Sequence, residues 1–159
     1  MPQLVKGGKY VFGWTTINNN LRIRVPDEAF DEYKLYKTNK LIIISGSKPS
    51  GGFSINSPDS IFHSEFSNSI LSALGYIREM DKFNSNKLEV VKLGVRLITW
   101  TDLDIDKYFI LSDTFLDKMD LNVGQRLLVI RGSGLGPALI TKGIIFNEAL
   151  KHEDIIEFS

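Results

Sequence analysis

Apolar residues recur along this chain in short runs whose period shifts between two and three or four, and the same succession occurs twice. In its first occurrence Ile23 and Val25 alternate with Arg22 and Arg24, the two-residue period of a strand with one face turned inward. Phe30 and Tyr33 follow three positions apart, as on one face of a short helix. The run LIIIS at 41–45 is apolar nearly throughout, which predicts a strand buried on both faces. In the second occurrence Leu116 and Met119 take the helical spacing, and LLVIR at 127–131 forms the buried strand.

Placed one above the other, residues 14–47 and 100–133 align without a gap. Trp14 meets Trp100, Thr15 meets Thr101, Asp27 meets Asp113, Leu41 meets Leu127, and Gly46-Ser47 meets Gly132-Ser133. A match of that length, containing both tryptophans, identifies one unit carried twice. Each unit predicts the order β-β-α-β-β. The first strand ends in a polar turn at Asn18-Asn19-Asn20 or Asp104-Ile105-Asp106, residue types that bond their own backbone. Pro26-Asp27-Glu28 or Ser112-Asp113 then opens the helix, where capping oxygens and negative charge meet its free N–H groups. After the apolar strand come a glycine loop and a fourth strand near 53–55 or 138–141.

The fold expected is therefore mainly β with short helices (α+β), as a single domain over 1–159. Repeat one spans 10–56, a helical connection 57–86, repeat two 87–143 and a C-terminal helix 144–159. Within the connection, Ser57-Pro58-Asp59 reads as an N-cap with proline at the first helical position. Phe66, Ile70, Leu74 and Ile77 predict a helix to about Met80. Val91, Leu93, Val95 and Leu97 alternate as one long strand leading into repeat two.

Charge changes this picture more than composition does. Lys and Arg balance Asp and Glu at 19 each, which argues against a generic nucleic-acid-coating protein. The balance is uneven along the chain, with 8 basic against 4 acidic residues in 1–55 and 6 against 10 in 99–159. Cysteine is absent, which excludes a disulfide scaffold and a thiolate metal site. No apolar run reaches the roughly 18–20 residues needed to cross a bilayer, and MPQLVKGGKYVFGW lacks the apolar core of a signal peptide. A cytoplasmic protein without membrane contact is expected.

With these residues laid out, the pattern resembles the AbrB/MazE/SpoVT superfamily of swapped-hairpin DNA-binding domains. That family runs from a turn through a basic-apolar strand ending in Ile-Pro to a short helix, a Leu-x-x-x-x-Gly-Asp turn and an apolar strand. Here LRIRVP leads into DEAFDEYKLYKTNKLIII, and KYFILS into DTFLDKMDLNVGQRLLVI. The first copy keeps the proline (Pro26) and the second the glycine (Gly124). Two copies in one chain correspond to the MraZ arrangement, although Asp31 and Asp117 stand where the Asp-x-x-x-Arg signature of that branch has arginine. The resemblance implies two hairpins interleaved into a barrel within one subunit, and a DNA-binding transcriptional regulator.

Under that reading Arg22 and Arg24, on one strand face, would contact phosphates or guanine edges of double-stranded DNA. Lys9 and Lys48 complete the basic end. The second copy has Tyr108 and Ile110 at the arginine positions. DNA would therefore be bound asymmetrically, or by a homodimer or higher homo-oligomer presenting two basic faces. The alternative is a non-catalytic barrel module that binds a protein partner or small ligand without DNA, its basic and acidic ends pairing in an oligomer.

Other motifs point to bland roles. The loops at 46–52 and 132–136 lack the closing Gly-Lys-Ser/Thr of a P-loop and read as turns needing positive φ. Asp102, Asp104 and Asp106 alternate like the start of a calcium loop, but Lys107 sits where that loop needs glycine. His63 and His152 read as solvated surface, and Trp14 and Trp100 as packing residues. No catalytic residue, metal site or cofactor is expected, and the chain does not read as an enzyme.

Overall fold

The computed structural model describes residues 3–65, 67–132 and 135–159. Repeat one supplies β1 (Val11–Thr16), β2 (Arg22–Arg24), α1 (Asp27–Glu32), β3 (Lys40–Ser45) and β4 (Phe53–Asn56). The connection supplies α2 (Pro58–Phe62), α3 (Ser67–Leu74), β5 (Tyr76–Ile77), β6 (Lys82–Phe83) and β7 (Val91–Leu93). Repeat two supplies β8 (Arg96–Asp102), β9 (Tyr108–Ile110), α4 (Asp113–Met119), β10 (Arg126–Ile130) and β11 (Ala138–Ile140), before α5 (Ile144–Ala149) and β12 (Glu157–Phe158). The β-β-α-β-β order thus occurs in both copies. Even its unusual backbone positions recur: Leu21 and Lys107 are left-handed at the hairpin turns, and Lys34 and Asp120 after the helices.

The two copies exchange strands. β1 pairs antiparallel with β10, β3 with β8, β4 with β11, and β2 with β9. Every one of these ladders joins one repeat to the other. Eight strands make one sheet in the order β12-β1-β10-β11-β4-β3-β8-β7, while β2 and β9 form a separate two-stranded ribbon. The sheet does not close into a barrel. The reason lies at β1, whose second edge is taken by β12 in parallel pairing (Trp14↔Glu157, Thr15↔Phe158). β2 is left to approach β1 through a side chain, Thr15 Oγ1 donating to the Arg24 carbonyl at 2.7 Å.

Alternation in the central strands feeds two layers. Leu41 and Ile43, with Leu127 and Val129, face a core shared by both repeats that also holds Phe53, Phe109 and Phe115. Ile42, Ile44 and Ile98 face the other way, onto Ile61, Ile70, Leu71 and Leu74 of the connection. Trp14, Leu128 and Ile140 form the matching patch beneath Ala149 and Ile155 of the C-terminal segment. Burial of 41–45 and 127–130 on both faces is thereby accounted for.

Three expected boundaries shift. The helix expected to run from Phe66 to Met80 ends at Leu74, because Gly75 is left-handed and Tyr76–Ile77 turns back to pair with Lys82–Phe83; Phe66 lies outside the described residues. The long strand at 91–97 is a hairpin, turned at left-handed Gly94. The C-terminal helix stops at Ala149, and the tail extends to lie along β1, with Trp14 N–H donating to the Ile156 carbonyl at 2.8 Å. No helix among the described residues is long and apolar enough to cross a membrane.

Candidate functional site

Arg22 and Arg24 do share one face of the β2·β9 ribbon, opposite Ile110 and Tyr108 respectively. Tyr108 draws both in: the Arg22 guanidinium sits 3.8 Å from the ring centre and that of Arg24 5.9 Å. Acids meet them there. Arg24 Nη2 donates to Asp27 Oδ1 at 2.9 Å, and Arg22 lies 3.9 Å from Asp104. The Arg24 side chain keeps only 20% of its surface exposed, against 38% for Arg22. Lys9 and Lys48 are exposed, one ahead of β1 and the other in the β3–β4 loop; among the described residues neither forms an ion pair with the ribbon's acids.

Ion pairs of this kind link the repeats at several points. Lys107 Nζ reaches Asp27 at 2.7 Å, from the opposite copy to Arg24. Hydrogen bonds from Lys107 and Arg24 hold the Asp27 carboxyl below the usual carboxylate range. At a second junction Arg131 grips Glu32 through two nitrogens and lowers its carboxyl likewise. Its guanidinium also lies 4.8 Å from the Tyr10 ring centre, and Tyr10, which donates to Glu28, has its hydroxyl pushed up by that bond. Asp27 and Glu32 of the first repeat are thus held by Lys107 and Arg131 of the second, and Arg22 of the first lies by Asp104 of the second.

The remaining candidates fall into structural places. Asp104 Oδ1 accepts from Tyr108 N–H at 3.0 Å, Asp102 pairs with Lys87 at 2.9 Å, and the three alternating aspartates form a hairpin turn with its end ladder. Trp14 is buried edge-on to Phe146, while Trp100 stacks on Phe83 at 4.4 Å and donates to the Ser85 carbonyl. His152 lies 3.4 Å from Glu148. The positive φ expected of the loop at 46–52 is present at Gly51 and Gly52, while Gly46 and Gly132 themselves are not left-handed. An added Cβ would stand 2.7 Å from the Gly51 carbonyl oxygen in one and 3.1 Å from that of Gly136 in the other. Close backbone approach is what the shared glycine permits. Ser133 and Gly134 lie outside the described residues.

A cleft of about 650 Å³ lies on the far side of the sheet from the shared core, between the connection and the β3, β4 and β8 strands. Ile44, Ile61, Ile70, Ile98 and Leu93 give it an apolar floor, and Leu135 reaches it from the β10–β11 loop. Asn56, only 2% exposed, is fixed there by donating to the Ile42 carbonyl at 3.2 Å and to Ser54 Oγ at 3.1 Å. His63, Ser64, Glu65, Ser69 and Arg96 add polar groups, and His63 stands 3.5 Å from Asp59.

No family model matches the chain, and no curated protein matches it. The site is therefore read from its own chemistry. Among the described residues no group of three or more His, Asp or Glu is placed to hold a metal ion. The cleft combines an apolar floor with a few polar groups, the composition of small-molecule sites, whose volumes run from about 300 to 1,000 Å³. Sequence reading missed it because its walls are drawn from positions 44 to 135. The one available signal was the amphipathic pattern of Ile70 and Leu74 in the connection, which shows a covered face but not a gap beneath it.

Proposed function

We propose that this chain is a non-catalytic module that binds a small, largely apolar ligand in the cleft between the connection and the sheet. Its scaffold is a swapped-hairpin one of AbrB type, carried as two copies in one chain. The observation that carries the ligand reading is the cleft of about 650 Å³, floored by five aliphatic side chains and bordered by a fixed, buried Asn56. The exchange of β1, β3 and their counterparts between copies supports the scaffold. The test is a thermal-shift screen of amphiphilic small molecules against wild type and Ser69→Trp, whose indole would occupy the cleft from its exposed rim. Compounds that raise the midpoint of wild type but not of the variant support the reading. It fails if nothing shifts wild type, or if the variant responds equally.

A second reading is a DNA-binding regulator of AbrB/SpoVT type acting through Arg22 and Arg24. It is favoured by the position of both arginines on a two-stranded ribbon, with Arg22 still turned partly to solvent. Exposed ion pairs such as Arg22–Asp104 contribute about 0–1 kcal/mol, so DNA phosphates could displace Asp104. A homodimer would present two such ribbons. Genomic-fragment binding at low and moderate salt separates the readings: DNA recognition requires fragment preference, a steep fall with salt and loss in the Arg22→Ala/Arg24→Ala double variant. Unselective binding unchanged by the substitutions rejects it.

A further inference from the structure

We infer that the ligand of the cleft is a zwitterion with an aliphatic body, a short apolar peptide with free ends, recognised by Arg96 at its carboxylate and Glu65 at its ammonium group. This inference rests on the ligand-binding reading above and specifies its chemistry. Its starting point is that two opposite charges line one cleft without satisfying each other. Arg96, at the start of β8, and Glu65, between α2 and α3, both border the cavity. Neither has an ion-pair partner within 4 Å among the described residues. Elsewhere the charges of this chain are repeatedly matched: Arg22 with Asp104, Arg24 and Lys107 with Asp27, Arg131 with Glu32, Lys87 with Asp102, and Arg126 with Glu157. Other exposed charges, Lys48 and Glu153 among them, also lack an ion-pair partner among the described residues; what distinguishes Arg96 and Glu65 is that both border the same cavity.

The ligand class follows from what would satisfy all walls together. A fatty acid would match Arg96 and the aliphatic floor but would bring its carboxylate into the field of Glu65. An apolar amine would meet the converse conflict. A molecule carrying both charges on an aliphatic body answers each wall: guanidinium takes carboxylate in a planar fork, Glu65 accepts from ammonium, and the accessible edges of Leu93, Leu135, Ile44 and Ile70 remove branched side chains from water. The volume of about 650 Å³ exceeds what one amino acid fills, which favours a peptide of two or three residues over a single leucine. Asn56, held by its two donated bonds, gives the floor a fixed polar point suited to a peptide amide.

Isothermal calorimetry with leucyl-leucine, its N-acetyl form and its C-terminal amide tests the assignment on the full chain. The zwitterion is expected to bind, and each blocked form to bind at least tenfold more weakly. Arg96→Ala should abolish the discrimination against the C-terminal amide while keeping that against the acetylated peptide, and Glu65→Gln the reverse. Both positions are exposed, so the variants should keep the wild-type melting midpoint, which is measured alongside. Blocked forms binding as tightly as the zwitterion, or variants that lose no discrimination, overturn the two-charge assignment while leaving ligand binding in the cleft standing. Absence of peptide binding alongside Ser69→Trp-sensitive shifts from other compounds overturns it equally. Absence of both also removes the ligand-binding reading on which it rests.

Discussion

Gly52→Ala is expected to destabilise the protein by on the order of 3–5 kcal/mol, an effect that two separate causes combine to produce. Gly52 has φ of 67°, a left-handed conformation that costs a residue with a Cβ about 1–2 kcal/mol. The added Cβ would also stand 1.8 Å from the Leu139 carbonyl oxygen and 2.9 Å from the carbon behind it. That contact is with backbone, so no rotamer change relieves it. β4 would have to move off β11, and their ladder is one of the four that join the repeats. Gly94→Ala is the control. Its φ of 62° is nearly the same, yet nothing lies within 4 Å of the added atom, so only the conformational cost of about 1–2 kcal/mol applies. Urea denaturation of the three proteins compares the two terms directly. Equal losses at 52 and 94 would show that the close approach to Leu139 has no energetic weight.

Much of the local structure was legible because its causes are local. Alternation at 22–25, the Ser112 cap before Asp113, and the doubly buried runs at 41–45 and 127–130 each report on a residue's own face of its own element, whereas α1 starts after Pro26 without a side-chain cap. What alternation cannot report is the neighbour across the ladder. Ile43 is buried whether β3 pairs with β1 of its own copy or with β8 of the other, and only the resemblance supplied the expectation of interleaving. The boundaries missed in the connection have a related origin: Phe66 to Ile77 and Val91 to Leu97 keep their apolar period across Gly75 and Gly94, and a period does not register a reversal of the chain. The closed barrel failed for a reason outside the repeat altogether, the return of the C-terminal tail to the edge of β1.

The charge asymmetry was visible in the sequence and its use was not. Eight basic residues against four at one end read equally well as a polyanion-binding face or as half of a pair. Strand exchange decides what they meet. Because β2 lies against β9 and α1 near the turn before it, Arg24 and Lys107 converge on Asp27 from different copies, and Arg131 crosses 99 positions to reach Glu32. Among the described residues, Arg22 is the one basic residue of 1–55 paired with an acid of the second repeat, while the other two cross-repeat pairs run the opposite way, from Lys107 to Asp27 and from Arg131 to Glu32.

Phe53→Ala should be the most damaging of the simple core truncations, with a loss of about 3–5 kcal/mol. Phe53 is among the largest fully buried side chains and stands in the first repeat, at the start of β4. The two rings it meets edge-on belong to the second: Phe115 at 5.7 Å and Phe109 at 6.3 Å between centroids. Truncation therefore removes apolar burial, leaves a void between elements of different copies and ends two aromatic contacts, each worth about 0.5–1.5 kcal/mol beyond burial. Phe53→Leu keeps most of the volume and loses the ring geometry, so its loss should be clearly smaller. The equilibrium denaturation slope is expected to stay unchanged for both variants, because the two copies share one core and should unfold together. A lowered slope, or a second transition in Phe53→Ala, would mean that the repeats unfold separately and that the rings of Phe53, Phe109 and Phe115 do not couple them. A loss below about 1 kcal/mol, far under the range for a buried phenylalanine, would show that the void collapses and that exchange of strands alone holds the two copies together.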